Sequence, residues 1–573
     1  MKKSSLYVLS AVFLIFPASL LAADAGSTLR QYKETTVLAP GKKQAEEIKY
    51  GESSVKAEEV KTSAVQSPAI HIENISVAGN TVLSAEELHK ILDPFTGRLL
   101  STIDLHQAAD SLMQAIRAAG LFTAKVYILP QDIVEKTVTF NIIEGHLAKD
   151  GIVLGRSSDR VSDGVIRDQL QHTLSPGSII SADKYERAIY LTNDLPGIKG
   201  TENLLFPGDQ VGEAKFEVIP EDEKLLTGNV YYDNFGSYFT GRNRWGATME
   251  LNSPTGHAEK ITTGYSISDA GTNFGYVDAN MLLYPNGLRG GVSIDLLAYN
   301  TDEANDLRGD GLDGSVYAQY PIIRSRLTNL YSRVSYTYTA LKDEDDLNTI
   351  TDRSLHVGSL HVFGDVSDSL LGGGVTTARL EGYAGSVDLD DYQPFKDYDA
   401  LHADTQGSFS RAALSVDRLQ HLIGDFQTYL AFKGQVASKN LDPSQSISFG
   451  GPFDFPGYHA GEMFGDDGWM VHTDLRYNLT SLPWLGVMQA SVFYDYGWIR
   501  THTVAIVDGF AIPGADDISY HMQSTGIGLS QIWEHFTVQA ILGWQVDNNI
   551  PDNLLDDKGD DNFQGWIHLI YTF

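Results

Sequence analysis

A long stretch of alternating apolar and polar residues, residues 225–573, is the feature that most constrains how this chain folds. In one segment Val277, Ala279, Met281 and Leu283 alternate with polar residues, and similar segments recur further along the chain. Successive side chains of a strand point to opposite faces, so each such strand has one apolar and one polar face. The segments run about 10–13 residues, enough to cross a bilayer when tilted. The pattern predicts a transmembrane antiparallel β-barrel, and a soluble β-sandwich, whose strands also alternate, is the alternative.

Sixteen candidate strands fit into residues 223–573, with twelve or fourteen as alternatives. An even number is expected of a single-chain bacterial barrel, and a barrel of sixteen strands encloses an aqueous lumen. Tyrosine and tryptophan lie near strand ends, as in the aromatic girdles of such barrels. The candidate strands are centred near residues 230, 247, 263, 278, 293, 316, 333, 357, 377, 411, 430, 473, 491, 526, 540 and 568.

The first 25 residues have the pattern of a signal peptide. Lys2 and Lys3 precede an apolar run at residues 6–16, and residues 23–25 read Ala-Asp-Ala, an A-x-A cleavage signal. The run is too short to span the ~30 Å of hydrocarbon in a membrane. We therefore predict a signal peptide at residues 1–25 and an exported mature chain.

Polar residues dominate the next segment, residues 26–67, which is rich in Lys, Glu, Ser and Ala. This composition predicts a flexible linker. The alternative is a short helix near residues 28–34 that docks elsewhere in the protein, followed by the linker.

Two small modules precede the barrel. Residues 68–146 predict a strand, two helices and two strands, with Ser84 and Glu87 forming a capping box at the first helix. Residues 147–222 predict the same β-α-α-β-β order. Repetition of one order over two consecutive units indicates a tandem repeat of α/β modules.

Charge and composition exclude several function classes. The chain has 42 Lys and Arg against 74 Asp and Glu, so no nucleic-acid partner is expected. It has no cysteine, which excludes thiol catalysis and thiolate metal sites. A phosphate-binding loop, a Gly-x-Ser-x-Gly elbow and a His-Glu-x-x-His motif are all missing from the sequence. We therefore predict no enzyme activity, no cofactor and no metal site.

Four stretches resemble the outer-membrane transporters of two-partner secretion, the exporters of haemolysins and filamentous-haemagglutinin-like adhesins. Residues 72–145 are similar to a polypeptide-transport-associated (POTRA) module. The first barrel hairpin is close to the family's Asp-Asn-x-Gly…Thr-Gly-Arg pattern at Asp233, Asn234, Gly236, Thr240, Gly241 and Arg242. A later loop resembles the family's lumen loop at Gly450, Gly451, Phe455, Pro456, Gly457 and Tyr458. The fourth stretch is residues 493–497, which include Asp495 and Gly497.

This resemblance implies that a loop at about residues 438–466 folds into the lumen. In the family an arginine of the loop pairs with an inward aspartate of the following wall, which corresponds to Asp495 here. Pro456 stands at the position of that arginine. Alternation places Arg476 inward beside Asp474, so our hypothesis is that Arg476 pairs with Asp495. The alternative is that Asp495 is hydrated.

The last strand ends on an aromatic residue and places four large apolar residues on one face: Ile567, Leu569, Tyr571 and Phe573. This ending resembles the terminal-strand signal recognised when outer-membrane barrels are inserted. It implies the barrel-assembly machinery as a partner during insertion.

The family resemblance implies a pore in the cell outer membrane with its N-terminal modules in the periplasm. The pore would translocate a large exoprotein, bound in extended form by the modules, to the cell surface without nucleotide hydrolysis. Two alternatives remain: a barrel-assembly factor of the same superfamily, and a porin-like channel for small solutes.

Overall fold

A computed structural model describes residues 24–37, 69–301, 307–482, 486–503, 506–507, 510–511, 519–548 and 562–573. Residues 1–23, which are most of the predicted signal peptide, lie outside the described residues. Residues 38–68, which include most of the predicted linker, lie outside them as well. None of the described helices is long and apolar enough to cross a membrane.

The described chain begins with helix α1, Ala25–Tyr32, followed by one wider turn at Lys33–Val37. Asp24 caps this helix, because its carboxylate accepts a hydrogen bond of 2.6 Å from the Ser27 amide. The helix therefore starts three residues earlier than the helix predicted at residues 28–34.

Module 1 has seven elements: β1 Ile70–Ile72, β2 Asn74–Ala78, α2 Ala85–Leu92, β3 Arg98–Leu100, α3 Thr102–Ala118, β4 Lys125–Tyr127 and β5 Thr137–Ile143. The predicted capping box of Ser84 and Glu87 is present at α2. The single strand predicted at the start is split into β1 and β2, and β1 pairs with β3, which the sequence did not indicate.

Module 2 consists of β6 His146–Leu154, α4 Asp163–Thr173, α5 Ala182–Asn193, β7 Ile198–Pro207 and β8 Glu213–Asp222. Its sheet has the order β6-β8-β7, and that of module 1 has the order β2-β5-β4. In each sheet the central strand pairs in parallel with one neighbour, β2 or β6. It pairs antiparallel with the other neighbour, the edge strand β4 or β7. The two modules therefore share the topology expected of a tandem repeat.

Sixteen antiparallel strands of the described chain form a closed barrel, in which the last strand pairs with the first. They are β9 Leu226–Asp233, β10 Arg244–Asn252, β11 Lys260–Ser268, β12 Asn273–Tyr284, β13 Leu288–Asn300, β14 Arg308–Arg324, β15 Thr328–Glu344, β16 Thr349–Asp368, β17 Gly374–Asp388, β18 Gly407–His421, β19 Phe426–Ala437, β22 Asp467–Leu482, β23 Gly486–Arg500, β26 Ser519–Trp533, β27 Phe536–Asn548 and β28 Phe563–Thr572. The prediction of a sixteen-stranded antiparallel barrel is confirmed. Strand lengths run from 8 to 20 residues, a wider range than alternation alone suggested.

The two ends of the barrel differ. At one end, which we call the module end, the connections are short turns, and module 2 packs against them: Arg187 donates to the carbonyl of Pro321 at 2.8 Å, and Arg324 forms an ion pair with Asp194 at 2.7 Å. The opposite end, the loop end, carries the longer connections, with α6 Gln393–His402, β20 Ile447–Phe449, β21 Met463–Gly465, β24 Ile506–Val507 and β25 Phe510–Ala511.

Candidate functional site

Helix α1 lies inside the lumen and packs against the barrel wall. Its Ala25, Leu29 and Tyr32 are almost completely buried. The wall residues that receive them are apolar, although most other inward positions of the barrel are polar: Phe274, Tyr276, Leu297, Tyr299, Leu341, Leu355, Val357, Val387, Leu389 and Phe409. Burial of a side chain the size of Leu29 contributes about 1.5–3 kcal/mol, so this patch is a specific seat for the helix. We call residues 24–37 the plug.

Arg353 of β16 connects the plug to two other parts of the protein. Its guanidinium lies 2.9 Å from the carboxylate of Asp24 on the plug and 2.9 Å from that of Asp343 on β15. Its Nε lies 2.8 Å from Asp442, at the start of the loop at residues 438–466, as an ion pair whose geometry falls short of a hydrogen bond. Arg353 is almost completely buried. We call these four residues the Arg353 cluster.

The Arg353 cluster holds three carboxylates around one cation. Asp343 has further donors, since it accepts hydrogen bonds from the Ala25 amide at 2.9 Å and from the Tyr299 hydroxyl at 2.8 Å. Asp24 accepts fewer hydrogen bonds than Asp343. Burial raises the pKa of Asp24 to about 7, although the Arg353 guanidinium acts to lower it. The plug is therefore held by an ion pair whose carboxylate accepts fewer hydrogen bonds than that of Asp343.

The second half of the plug is held through three charged or aromatic side chains. Lys33 lies between two aspartates of the wall, and Tyr32 lies under the guanidinium of Arg244, 5.3 Å from its ring centre. Glu34 forms an ion pair with Lys433 of β19 at 3.7 Å. Burial acts to raise the pKa of Glu34, but Lys433 and Arg30 lower it to about 2, so Glu34 is ionised in its seat.

The loop at residues 438–466 folds into the lumen as a hairpin of β20 and β21, paired at Ser448 and Phe464. Tyr458, near its tip, is completely buried, and its hydroxyl lies 3.3 Å from the carbonyl oxygen of Gln523 on β26. The apolar residues of the hairpin and the wall form one cluster: Ile447, Phe449, Phe455, Tyr458, Met463, Met470, Ile499, Tyr520 and Met522. The hairpin therefore packs against the inner face of β22, β23 and β26 through apolar side chains.

Glycines permit the close approach of the hairpin to itself and to the wall. Gly450 and Gly451 have φ of 114° and 91°, which favour glycine, and a Cβ on Gly450 would lie 2.1 Å from the carbonyl oxygen of His459. Phe455 fills the space that a side chain at Gly497 would need, since a Cβ there would lie 2.6 Å from its ring. Gly450 therefore permits a tight hairpin, and Gly497 permits the contact of the hairpin with the wall at Phe455.

The tip of the hairpin is attached to the wall through its backbone. The indole Nε1 of Trp566 donates a buried hydrogen bond of 2.8 Å to the carbonyl oxygen of Pro456. Close contacts surround this bond, because a Cβ at Gly543 would lie 2.3 Å from Pro456, and one at Gly457 would lie 2.7 Å from the Gln545 amide. The Trp566 bond anchors the loop at the position where the family motif has arginine.

The predicted pairing of Arg476 with Asp495 is wrong. Asp495 is completely buried and lies 2.5 Å from Nδ1 of His472, and it accepts a hydrogen bond of 2.5 Å from the Ser524 hydroxyl. Arg476 instead donates to Asp474 at 2.6 Å on its own strand. The alternative of a hydrated Asp495 is also excluded by its burial.

Strand register explains this correction. Asp495 lies directly opposite His472 in the pairing of β22 and β23, whereas Arg476 lies opposite Ser491. Four residues along a strand separate the two positions by about 13 Å. Alternation predicts which face a side chain takes, but it does not predict the register.

The first barrel hairpin begins with a buried ion pair. Asp233 accepts two hydrogen bonds from Arg244, at 2.8 and 3.1 Å. The next residue, Asn234, bonds to the last strand, where it donates to the Gly565 carbonyl at 2.8 Å and accepts from the Ile567 amide at 2.7 Å. Asn234 therefore joins the first and last strands at the seam of the barrel.

The remaining hairpin residues shape this turn. Gly236 has no room for a Cβ, which would lie 1.9 Å from the carbonyl oxygen of Gly241, and Gly241 has a φ of 100°. The carbonyl of Thr240 accepts two hydroxyl hydrogen bonds, at 2.6 and 2.8 Å. Arg242 donates to Gln564 of the last strand at 2.8 Å, which adds a second link across the seam.

The terminal strand places its predicted residues on the outer face. Trp566 and His568 are buried on the inner face of β28, and the four residues of the opposite face are each between 36% and 39% exposed: Ile567, Leu569, Tyr571 and Phe573. Their position agrees with the predicted apolar face. Their role as an insertion signal stays a prediction.

Two family profiles match the sequence. The POTRA domain of ShlB type matches residues 70–145, and the haemolysin secretion/activation protein family ShlB/FhaC/HecB matches residues 332–512. In both regions the chain is similar to the two-partner secretion transporters. As expected for this family, the barrel lies in the outer membrane, the modules in the periplasm, and the module end of the barrel faces the periplasm.

Relatives of known name and a solved structure align with most of the chain. The transporter is 26% identical to the heme/hemopexin transporter protein HuxB of Haemophilus influenzae strain 86-028NP, over 86% of this chain and 85% of the relative. It is 20% identical to the outer membrane transporter CdiB of Escherichia coli, over 85% and 82%. The solved structure of Escherichia coli CdiB shares the fold, with a TM-score of 0.72 and 17% identity over 89% of this chain and 92% of that one.

Sequence reasoning missed the residues that hold the plug: Asp24, Lys33, Asp295, Asp313, Arg353, Lys433 and Asp442. Asp24 was assigned to the signal peptide, and the others look like ordinary lumen or loop charges. One signal for the Arg353 site was present in the sequence. Arg353 shares the inward face of β16 with Leu355, close to the loop end, where the inward side chains are apolar. A charge in an apolar setting needs a partner.

Proposed function

We propose that this transporter moves a large exoprotein, an adhesin or a haemolysin-like protein, from the periplasm to the cell surface through the barrel lumen. No nucleotide is hydrolysed, and we assign the chain no catalytic role. Relatives named as transporters support this function, and it is the function that the geometry fits best.

The observation that carries the proposal is a lumen filled by two removable parts of the same chain. The plug and the inward loop are held by side-chain ion pairs, hydrogen bonds and apolar contacts, and both meet at the Arg353 cluster. A small-solute channel has no need for two such closures. A channel for an unfolded protein needs them, because an open lumen of sixteen strands would leak small molecules.

The length of the chain between plug and module 1 permits the plug to leave. Residues 38–68 number 31, and a chain of that length spans at most about 100 Å. We infer that the plug can move from its seat to the periplasm while it stays attached to module 1.

We propose that the modules bind the exoprotein in extended form by strand addition. Among the described residues, each module sheet has an antiparallel edge strand with no strand on its outer side, β4 in module 1 and β7 in module 2. Apolar side chains lie exposed on these edges, with Tyr127 at 41% and Phe206 at 46%. An unfolded segment can satisfy its backbone groups on such an edge and place alternate side chains on the apolar residues.

Two membrane partners complete the proposal. The outward apolar face of the barrel contacts outer-membrane lipid. The barrel-assembly machinery inserts the chain, and the four outer-face residues of β28 form the signal that it recognises.

Conductance in planar lipid bilayers tests the closure. A variant without residues 24–37 is expected to conduct steadily, whereas the full chain conducts rarely. The matched control removes residues 45–58, which is the same number of residues from the linker, and is expected to behave like the full chain. Equal conductance of all three proteins would contradict the proposed plug.

Secretion tests the function itself. Deletion of this gene is expected to remove a large exoprotein from the proteins that can be labelled on intact cells, with outer-membrane porin levels unchanged. A general fall in outer-membrane barrels would instead indicate an assembly factor. Normal secretion with altered uptake of small solutes would indicate a porin-like channel.

A further inference from the structure

Two carboxylates face each other across neighbouring strands in the lumen. Asp295 of β13 and Asp313 of β14 are directly opposite in the strand pairing, and both are more than nine-tenths buried. Like charges at directly opposite positions repel each other. This pair therefore requires a cation wherever both groups are ionised.

The plug supplies that cation. Nζ of Lys33 lies 2.7 Å from Oδ2 of Asp295 and 2.7 Å from Oδ2 of Asp313. Burial acts to lower the pKa of Lys33, but Asp313 and Asp295 outweigh it and raise the pKa above its usual value, so the ammonium stays charged. Within the described residues, Oδ1 of Asp313 has no hydrogen-bond partner, which leaves the site one further acceptor.

The surroundings define what the site accepts. The two oxygens converge on a single nitrogen, which suits a compact ammonium better than the flat, forked donors of a guanidinium. No group of three or more acidic or histidine side chains in the described ranges is arranged to hold a metal ion. On β14 the neighbouring inward position is Gly311, and Leu29 of the plug lies 3.5 Å from where its Cβ would be, so departure of the plug opens space beside the two aspartates.

We propose that Asp295 and Asp313 form a binding site for a primary ammonium, filled by Lys33 in the closed state and by lysine side chains of the exoprotein during export. The plug thus occupies a position that the cargo later uses, and a lysine of the cargo competes with Lys33 for the same two oxygens. This proposal rests on the proposed function, since it needs a plug that leaves its seat and an exoprotein that passes through the lumen.

Channel block tests the site without any secretion assay. The protein without residues 24–37 is placed in a planar bilayer, and unstructured Gly/Ser peptides with one central Lys, Arg or norleucine are added from the periplasmic side. We expect the Lys peptide to block the current about tenfold more strongly than the other two. Asp295→Asn with Asp313→Asn is expected to remove this difference.

Asp278→Asn is the matched control, because Asp278 is an inward aspartate of the adjacent strand β12 that accepts hydrogen bonds from Tyr317. It is expected to leave the ranking unchanged. Leu29→Asp in the full chain gives a second open background, in which the plug is present but unseated, in case the deletion does not fold. Migration on gels before and after heating shows which variants contain a folded barrel.

Three results would overturn the site: block by the Lys peptide that survives the double substitution, equal block by the Arg peptide, or block by magnesium chloride at the same concentration. A different failure belongs to the proposed function. If the deletion does not open the channel while its barrel is folded, the plug is not the closure, and the site is then tested without current, by the affinity of the same three peptides for the folded deletion variant in detergent.

Discussion

The guanidinium of Arg353 lies 2.9 Å from the carboxylate of Asp24, and this ion pair joins the barrel wall to the plug. The same guanidinium also holds Asp442 of the inward loop at 2.8 Å. Besides sharing this cation, the two closures pack directly on each other, since a Cβ at Gly26 of the plug would lie 2.9 Å from the Cβ of Ser444 in the loop. We therefore expect the plug and the loop to leave the closed state together.

Arg353→Met is expected to open the channel. Loss of one partner from a buried ion pair costs about 3–5 kcal/mol, and here it leaves three buried carboxylates without their cation. The open fraction in planar bilayers should rise by a factor of about 100 or more. Arg418→Met is the control, since Arg418 pairs with Asp368 at a solvent-exposed turn of the module end. A closed Arg353→Met channel would show that the apolar seat alone holds the plug.

The closure is expected to weaken as pH rises. In the seat, burial raises the pKa of Asp24 to about 7, while a released Asp24 titrates near its ordinary value of 3.8. The seated plug therefore takes up a proton between these values, so acid favours the seat and the gain is lost as pH rises toward 7. Single-channel recordings should show more openings at pH 8 than at pH 5. Asp24→Asn should flatten this dependence, and the opposite slope in the wild type would contradict it.

The anchor of the loop tip is expected to be Trp566. Trp566→Phe keeps the ring but leaves the buried carbonyl of Pro456 without its donor, at a cost of about 1–3 kcal/mol. More frequent channel openings should follow. Trp533→Phe, at an exposed position of β26, should have no effect. Equal behaviour of the two variants would mean that the packed glycine contacts hold the tip without this bond.

His472, and not Arg476, is expected to support Asp495. In a double-mutant cycle measured by the heating temperature at which gel migration changes, Asp495→Asn and His472→Gln should show a coupling of about 0.5–3 kcal/mol. Asp495→Asn and Arg476→Gln should be additive. Coupling in the second cycle would mean that the side chains rearrange from the positions described above.

Processing of the N-terminus is expected to spare Asp24. The predicted signal peptide, residues 1–25, would remove Asp24 and Ala25, and with them the helix cap and the contacts to Arg353 and Asp343. Ala22 and Ala23 offer an earlier cut. Mass spectrometry of the mature protein should find an N-terminus at residue 23 or 24. A mature chain that starts at Gly26 would remove the ion pair from the plug.

Local patterns were sufficient to predict the architecture. Alternation with a period of two located all sixteen barrel strands, because each strand has one face in lipid and one in water. The start of α2 could be predicted from Ser84 and Glu87, because the two hydrogen bonds of their capping box lie within four residues of sequence. β3 was missed because three residues are too few for a period to be visible.

The contacts of the lumen could not be predicted in this way. Asp24, Arg353 and Asp442 are hundreds of residues apart or in separate elements, and they meet only after the barrel has closed and the loop has folded inward. The error over Arg476 arose similarly, since the sequence gives the inward face of β22 but not which residue of β23 lies opposite. Such contacts depend on register, which local patterns leave undetermined.

The seam between β28 and β9 has one more consequence. The backbone pairing there is short, from His568 and Asp233 to Thr572 and Asn229, but Asn234 and Arg242 bridge it with side-chain bonds. A wall reinforced in this way resists parting sideways, so a polypeptide threading the cylinder has no gate into the surrounding bilayer. It can emerge only at the outer mouth, in water, where it is free to fold.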